Sequence, residues 1–429
     1  MGWMVAETGP NVNTAPGSPS AVALAPRVRW HGDRLARWAA IALGASLPIS
    51  TALDNVLLGL IVLGWLASAG FAAKWAAIRS RWTSFAVIAI VALAVLGLTY
   101  TLGPADGALR GLVKPLTLLL IPILASLAWT ARERDLAVKA FAWSMLVLLV
   151  LSYGVAAGIL PSGVGTPFKG NPTNAFVFRL QITHNFLMAF AVFLYAAYAL
   201  AATRRTVRAG WALASLAALV NVGVMVQGRT GYVVLLVLGL VVLGHWYGWR
   251  GAAAAVVGGA VLLAGAYTTS GAFRLRVDQV ASEWAKWRAG EKRTPGGVYD
   301  RLSFYANTLR IIEARPVLGA GTGGFPAAYR AQIAGTDQVV TDNPHSQYLL
   351  TLAEHGVVGL VLLLALFGAV WRDAWRQREA RDRIILHAIL AAIAVASLVN
   401  STLLDHVETL FFAWGCGVAL AGPASGDSG

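Results

Sequence analysis

Charge is scarce in this sequence of 429 residues, with Asp, Glu, Lys and Arg together only 13% of the chain. Hydrophobic residues make up 57%, and the mean hydropathy is +0.65, which excludes an ordinary water-soluble domain. Carboxylates are scarcer than cations, 20 Asp and Glu against 34 Lys and Arg. The resulting net charge of +14 points, in so apolar a chain, to basic loops and membrane lipids as partners and not to nucleic acid. Cys416 is the lone cysteine and lies in the last apolar run, which leaves no disulfide framework and no thiolate metal site. Residues 1–26 lack a basic segment ahead of an apolar run, so they do not read as a cleaved signal peptide. No internal repeat is visible.

What the sequence has in abundance is long apolar runs. They fall near 37–53, 54–73, 82–102, 109–129, 136–160, 175–202, 208–227, 229–248, 250–269, 346–371, 384–401 and 403–421. That makes about twelve spans of the roughly twenty residues that a ~30 Å hydrocarbon core requires. Pro48 and Asp54 interrupt the first two, which reads as a broken re-entrant pair. Basic clusters follow every second span: Lys74, Arg79 and Arg81 after the second, Arg132 and Arg134 after the fourth, Arg204 and Arg205 after the sixth. The positive-inside rule therefore places both termini in the cytoplasm. The expected organisation is a disordered cytoplasmic tail over 1–36, spans one to nine over 37–269, a long outer loop over 270–344, spans ten to twelve over 345–421 and a short tail over 422–429.

The one long connection is of a length that is usually functional. It opens with FRLRVDQVASEWAKWRAGEKR, where Phe273, Val277, Val280, Trp284 and Trp287 recur at helical spacing. Such a helix either lies in the headgroup plane or packs on the other spans. A second amphipathic helix, YDRLSFYANTLRIIEA, ends near Pro316, and GAGTGG at 319–324, with no strand before it, reads as a flexible loop.

Asp342, Asn343 and Pro344 are turn formers directly before an apolar run, so His345 sits at the mouth of a membrane helix. On a helix, positions eleven apart differ by roughly 20° and fourteen apart by roughly 40°, which sets Gly356 and Gly359 on the face of His345. Small residues there would let a neighbouring helix pack closely. On these residues alone, a capping histidine above an ordinary packing seam is the more ordinary reading. Cations on the outer side are informative because orientation does not explain them. Arg110, Lys114, Arg179, Arg229 and Arg301 are expected to converge on one outer-leaflet cavity, where guanidinium forks suit phosphate oxygens. The alternative for each is snorkelling to the headgroups. Gln181 and His184 begin span six on the same side and are expected beside Arg179, whereas His355 reads as structural. Asp405, His406 and Glu408 either wall the cavity or cap a helix. There is no D-x-D pair on the outer side, so neither a metal site nor a cofactor is expected.

His345-Ser346, nine residues, then Gly356-Val357-Val358-Gly359 resembles the H-[NSQ]-x9-G-x-x-[GTY] signature of the bacterial O-antigen ligases. That family lies within a superfamily that also holds O-antigen polymerases and O-linked oligosaccharyltransferases. QGRTGY around Arg229 is similar to the family's arginine element, and Arg301 stands where its long loop carries a basic residue. The resemblance covers about Arg179 to Leu366. It implies an all-α, GT-C-like membrane glycosyltransferase of the bacterial inner membrane, with its active site on the periplasmic side. It further implies an undecaprenyl-pyrophosphate-linked glycan as donor and lipid A-core as acceptor. His345 would be the general base, Arg229 and Arg301 would stabilise the leaving pyrophosphate, and Ser346, Gly356 and Gly359 would be structural. A polymerase or a protein oligosaccharyltransferase would use the same donor. A lipid or glycan transporter, the reading from another class, would show inverted repeats and ionisable groups near the midplane.

Overall fold

The computed structural model describes residues 26–269, 271–289 and 297–421, so the sequence tails up to residue 25 and from residue 422 lie outside the described residues. The fold is all-α. Its first half comprises α1 (Pro26–Ser46), α2 (Thr51–Ala67), α3 (Phe71–Arg79), α4 (Trp82–Gly97), α5 (Ala105–Thr117), α6 (Leu120–Ala125), α7 (Ala131–Ala156) and α8 (Gln181–Ala201). Next come α9 (Arg205–Val220), α10 (Arg229–Thr269), α11 (Gly271–Arg288), α12 (Gly297–Ala314) and α13 (Phe325–Gln332). The last three are α14 (Gln347–Trp375), α15 (Ala380–Val399) and α16 (His406–Ala419). Helices are what a bilayer demands, because every backbone donor and acceptor is satisfied within the segment.

Each apolar run of the sequence overlaps at least one of these helices, the run at 109–129 is divided between α5 and α6, and the 229–269 pair is joined into α10 across a kink at Gly248. Among the described residues seven helices are long and apolar enough to cross a membrane, or eight if the pair α2 and α3, bent by 114°, forms one span. The chain breaks at Pro48, between the end of α1 and the start of α2, and again at Ala69–Gly70, both at positive φ, between α2 and α3. Two boundaries differ from expectation. Helix α1 reaches back to Pro26, into the stretch assigned to a tail. The run from 175 begins as loop, because Ala175 bonds backwards to Ser152 Oγ and forwards to the Met225 carbonyl, and α8 starts only at Gln181.

At the centre stands α16, buried along its length from Val407 to Ala419. A helix that is apolar all round belongs inside a bundle. Phe411 sits against Phe141, Phe186 and Phe190, with ring centroids 5.4, 5.7 and 4.9 Å away. Trp414 donates its indole N–H to the Ala40 carbonyl at 2.8 Å, and Gly44 leaves room for that ring.

One end of the bundle gathers the starts of α4, α7 and α15 with the ends of α14 and α16. Arg134 bonds to Asp382 and, at 2.8 Å, to Glu379; Arg381 reaches Asp135 at 3.0 Å; Arg37 reaches Glu133 at 3.0 Å. Asp373 accepts the Thr83 N–H and hydroxyl at 2.9 and 2.8 Å. Opposite it, the start of α14, the end of α15 and the start of α16 meet α12 and α13 over a second small core of Phe304, Ile311, Phe325, Tyr329 and Leu350. That end holds the candidate site.

Candidate active site

His345 lies just before α14 with its backbone at φ +58°, a left-handed conformation that costs an L-residue about 1–2 kcal/mol. Several bonds hold it there. Its N–H donates to Asn343 Oδ1 at 2.7 Å, and the Ser401 hydroxyl donates to the same oxygen at 2.6 Å. The Tyr305 hydroxyl donates to the His345 carbonyl at 3.2 Å. Two residues on, the Gln347 N–H reaches the Asn400 carbonyl at 3.2 Å, and Gln347 Oε1 accepts the Leu403 N–H at 2.9 Å. The turn formers read from the sequence thus fasten the histidine between α12 and the α15–α16 connection.

Helix α12 supplies the rest. Arg301, Phe304 and Tyr305 are three and four apart, hence on one face. Phe304 stacks on the imidazole at 5.8 Å and 26°, and the Arg301 charge acts on the same ring. Burial lowers the His345 pKa below 6.5, the Arg301 cation lowers it further, and a hydrogen bond with Asn400 opposes both. The ring is therefore neutral near pH 7, the state in which an imidazole accepts a proton. His345 Nδ1 is buried without a hydrogen-bond partner among the described residues.

Gly356 and Gly359 do a different job from the one the helical wheel suggests. Gly356 has φ +61° and ψ −160°, breaking α14 in two, and His345 precedes the helix, so the three do not share a continuous helical face. The break exposes carbonyls that the glycine-rich loop satisfies. Ala320 and Gly321 donate to the Ala353 and Glu354 carbonyls at 2.8 Å, and Val357 donates to the Pro316 carbonyl at 2.8 Å. A Cβ on Gly356 would meet the Val317 carbonyl, and one on Gly359 would meet His355, so the small residues admit a loop and the helix's own preceding turn, not a neighbouring helix. GAGTGG is accordingly packed in place. Thr322 Oγ1 donates to the Ala94 carbonyl at 2.6 Å, its N–H to Gly97 at 3.2 Å, and Gly323 lies against Gly111 at 2.8 Å from that residue's would-be Cβ. Ser346 is buried and donates at 3.4 Å to the Ser397 carbonyl.

The expected convergence of cations is only partly met. Arg110 and Lys114 line one cavity between α4, α5, α13 and α14, together with Arg330, Glu354 and His355. Lys114 acts on Asp405 and Glu408, and Asp405 accepts from Asn400 Nδ2 at 3.0 Å. A polar chain thus runs from Lys114 through Asp405 and Asn400 to His345. Arg179 does not line that cavity, although its charge, like that of Lys114, acts on Glu408; it is 8% exposed and bonded to Asp54 at 2.7 Å, to the Leu47 carbonyl and to Thr51. Its guanidinium is taken up by a fully buried carboxylate and its neighbours, so the expected place for it among the cavity cations is not the one it occupies. His184 is likewise interior, 0% exposed and bonded to Asn221 at 3.1 Å, so it is no part of the cavity. Gln181 heads α8, half-buried, and does not line the cavity either. Arg229 opens α10 behind a turn that Asn185 holds by bonds to the Val226 and Gly228 carbonyls, each at 3.0 Å; its side chain lies outside the described residues, as does that of Phe273.

Phe304, Tyr305, Asn343, Asn400 and Glu354 were not legible as site residues. For Tyr305 and Phe304 a signal existed, their spacing from Arg301; for Asn400, some fifty residues from His345, none did. Among the described residues no three His, Cys, Asp or Glu side chains cluster in a way that could hold a metal ion.

Residues 214–364 match the family model Wzy_C, described as O-antigen ligase, a segment that contains the α10 start, α12, the glycine loop, His345 and both motif glycines. No curated protein matches the chain.

Proposed function

For a chain that carries an O-antigen ligase domain within an all-α membrane fold, we propose an inverting, metal-independent transfer of O-antigen glycan from undecaprenyl pyrophosphate to lipid A-core at the periplasmic face of the inner membrane. The observation that carries this reading is the neutral imidazole of His345 under the charge of Arg301, in a turn fastened from three elements. In the step, the acceptor hydroxyl oxygen bonds to the anomeric carbon as His345 takes the hydroxyl proton. The bond from that carbon to the pyrophosphate oxygen breaks, and its electron pair leaves on the lipid pyrophosphate. Arg301 and Arg229 stabilise that developing charge, the kind of electrostatic contribution that is often the largest in an active site. One displacement of this form inverts the anomeric centre.

Room for the carrier supports the assignment. An apolar crevice of about 510 Å³ lies between α8, α9 and the two halves of α10, walled by Phe193, Leu219, Leu235 and Leu238. Tyr232, one turn into the helix that Arg229 opens, belongs to it, so an isoprenoid chain laid there would bring its pyrophosphate to the α10 start.

The test is reconstitution. Purified protein with undecaprenyl-pyrophosphate glycan and lipid A-core, in the presence of chelator, should yield glycosylated lipid A-core. Lengthened carrier-linked glycan would select a polymerase instead, and a glycosylated Ser or Thr a protein oligosaccharyltransferase. Movement of glycolipid across the bilayer without a new glycosidic bond would select a transporter.

A further inference from the structure

The cavity between α4, α5, α13 and α14 measures about 390 Å³, and His345 and Arg301 are not in its lining. It borders the other side of the same turn, through Asp342 and Gln347, so the base stands between this cavity and α12. Its chemistry is mixed in a definite way. Glu354 and His355 stand side by side where α14 breaks, and both face in. Glu354 receives backbone N–H bonds from Phe325, at 3.5 Å, and from Gly323, leaving the remainder of a carboxylate's acceptor capacity for something else. His355 Nδ1 has no hydrogen-bond partner among the described residues. Ionisable groups that face a cavity within membrane helices mark substrate paths by default. Lys114 and Arg110 supply positive charge, and Leu93, Leu118 and Leu363 make an apolar wall.

We propose that this cavity is the acceptor pocket and that its ligand is the head group of an anionic glycolipid. Sugar hydroxyls donate to Glu354, phosphate oxygens lie at Lys114 and Arg110, and the lipid follows the apolar wall. The chemistry selects this class because a carboxylate repels a bare anion but accepts from hydroxyls, while the cations and the greasy wall require a charged amphiphile. The assignment rests on the transfer reading above and adds to it the subsite of the second substrate, with Glu354 as its specificity residue.

The full chain in lipid nanodiscs tests it, with phosphorylated lipid A-core, its dephosphorylated form and inorganic phosphate as probes. Glu354→Gln, nearly isosteric and still able to accept the Phe325 N–H, should raise the KM for lipid A-core at least about tenfold, the usual scale for a lost hydrogen bond to a charged group. The donor KM should stay unchanged. Lys114→Met should erase the preference for the phosphorylated probe. A rise in donor KM instead, or unchanged kinetics in both variants, would overturn the assignment, as would inorganic phosphate displacing the glycolipid at equal concentration. Direct glycolipid binding, retained in His345→Ala and lost in Glu354→Gln, reads the pocket even if no glycan is transferred. Absence of transfer with such binding would fail the enzyme reading and keep the pocket; transfer without it would do the reverse.

Discussion

At one end of the bundle the Arg134 side chain is 5% exposed between Asp382 and Glu379, whereas at the other Arg110 and Arg330 meet Asp106 and Asp342 with 73% and 52% of their side chains exposed. The first arrangement closes on itself: Arg134, Arg381, Asp135, Glu379 and Asp382 pair across α7 and α15 and tie helix ends together. The second leaves charge facing open space, since exposed pairs of this kind contribute little and exchange partners readily. Buried pairs resist removal of one member, because the other is stranded. The same residue types therefore act as fasteners at one end and as recognition groups at the other, and what separates the two roles is how completely each pair is withdrawn from solvent.

Variants at the two ends should separate activity from stability. His345→Ala is expected to cost the most activity, about 10²–10⁴-fold in transfer, the range for loss of a general acid or base. The protein should keep its wild-type elution profile in detergent, and full activity in this variant would remove the general-base assignment. Arg301→Gln follows, at about 10²–10³-fold in kcat, the range for one oxyanion donor. Its pH profile carries the sharper signature. The His345 pKa is held below 6.5 partly by this cation, so activity in the wild type should fail on acidification only below 6.5. Removing the cation favours the imidazolium, so the acid limb should move up toward 6.5. A limb that stays put, measured on kcat/KM, would show that the two groups do not interact.

At the fastening end, Arg134→Ala should act on stability, by about 3–5 kcal/mol, since it strands buried Asp382. A lowered Tm with unchanged kcat per folded molecule is the expected outcome, and a specific kcat defect would break the contrast between the ends. Gly356→Ala combines a backbone strain of about 1–3 kcal/mol with a contact to the Val317 carbonyl. It should lower Tm and activity together by undocking the glycine loop. Asp106→Asn, which removes an exposed partner of Arg110, should leave thermal stability unchanged within error, and a clear loss would mean that the pair is less solvated than its exposure indicates.

The glycines show where linear reading stops. Periodicity treated Gly356 as one point on a smooth helix, yet the residue at φ +61° is the place where the helix ends and restarts. Nothing in the run of apolar letters marks this, because the reason for the break, a loop whose amides bond to Ala353 and Glu354, comes from residues 316–321. Arg179 makes the same point with charge. Its type and its place ahead of an apolar run were legible, but Asp54, its partner, lies far away in sequence on a helix that only the fold brings alongside. By contrast, the turn at Asp342–Pro344 and the helix of Arg301 were readable, since turn chemistry and amphipathic spacing are local.

Composition and periodicity determined by themselves that this is a bundle of membrane helices and that an amphipathic helix bearing Arg301 precedes a turn bearing His345. Those properties follow from how each short stretch partitions between water and hydrocarbon. The tertiary structure decided which cations are engaged and which face a cavity, that Asn400 and Phe304 attend the imidazole, and that Glu354 lines a cavity while two backbone N–H groups hold its carboxylate. Such outcomes depend on which helices become neighbours, and the free energy of an ionisable group is set by those neighbours and not by the residues beside it in the chain.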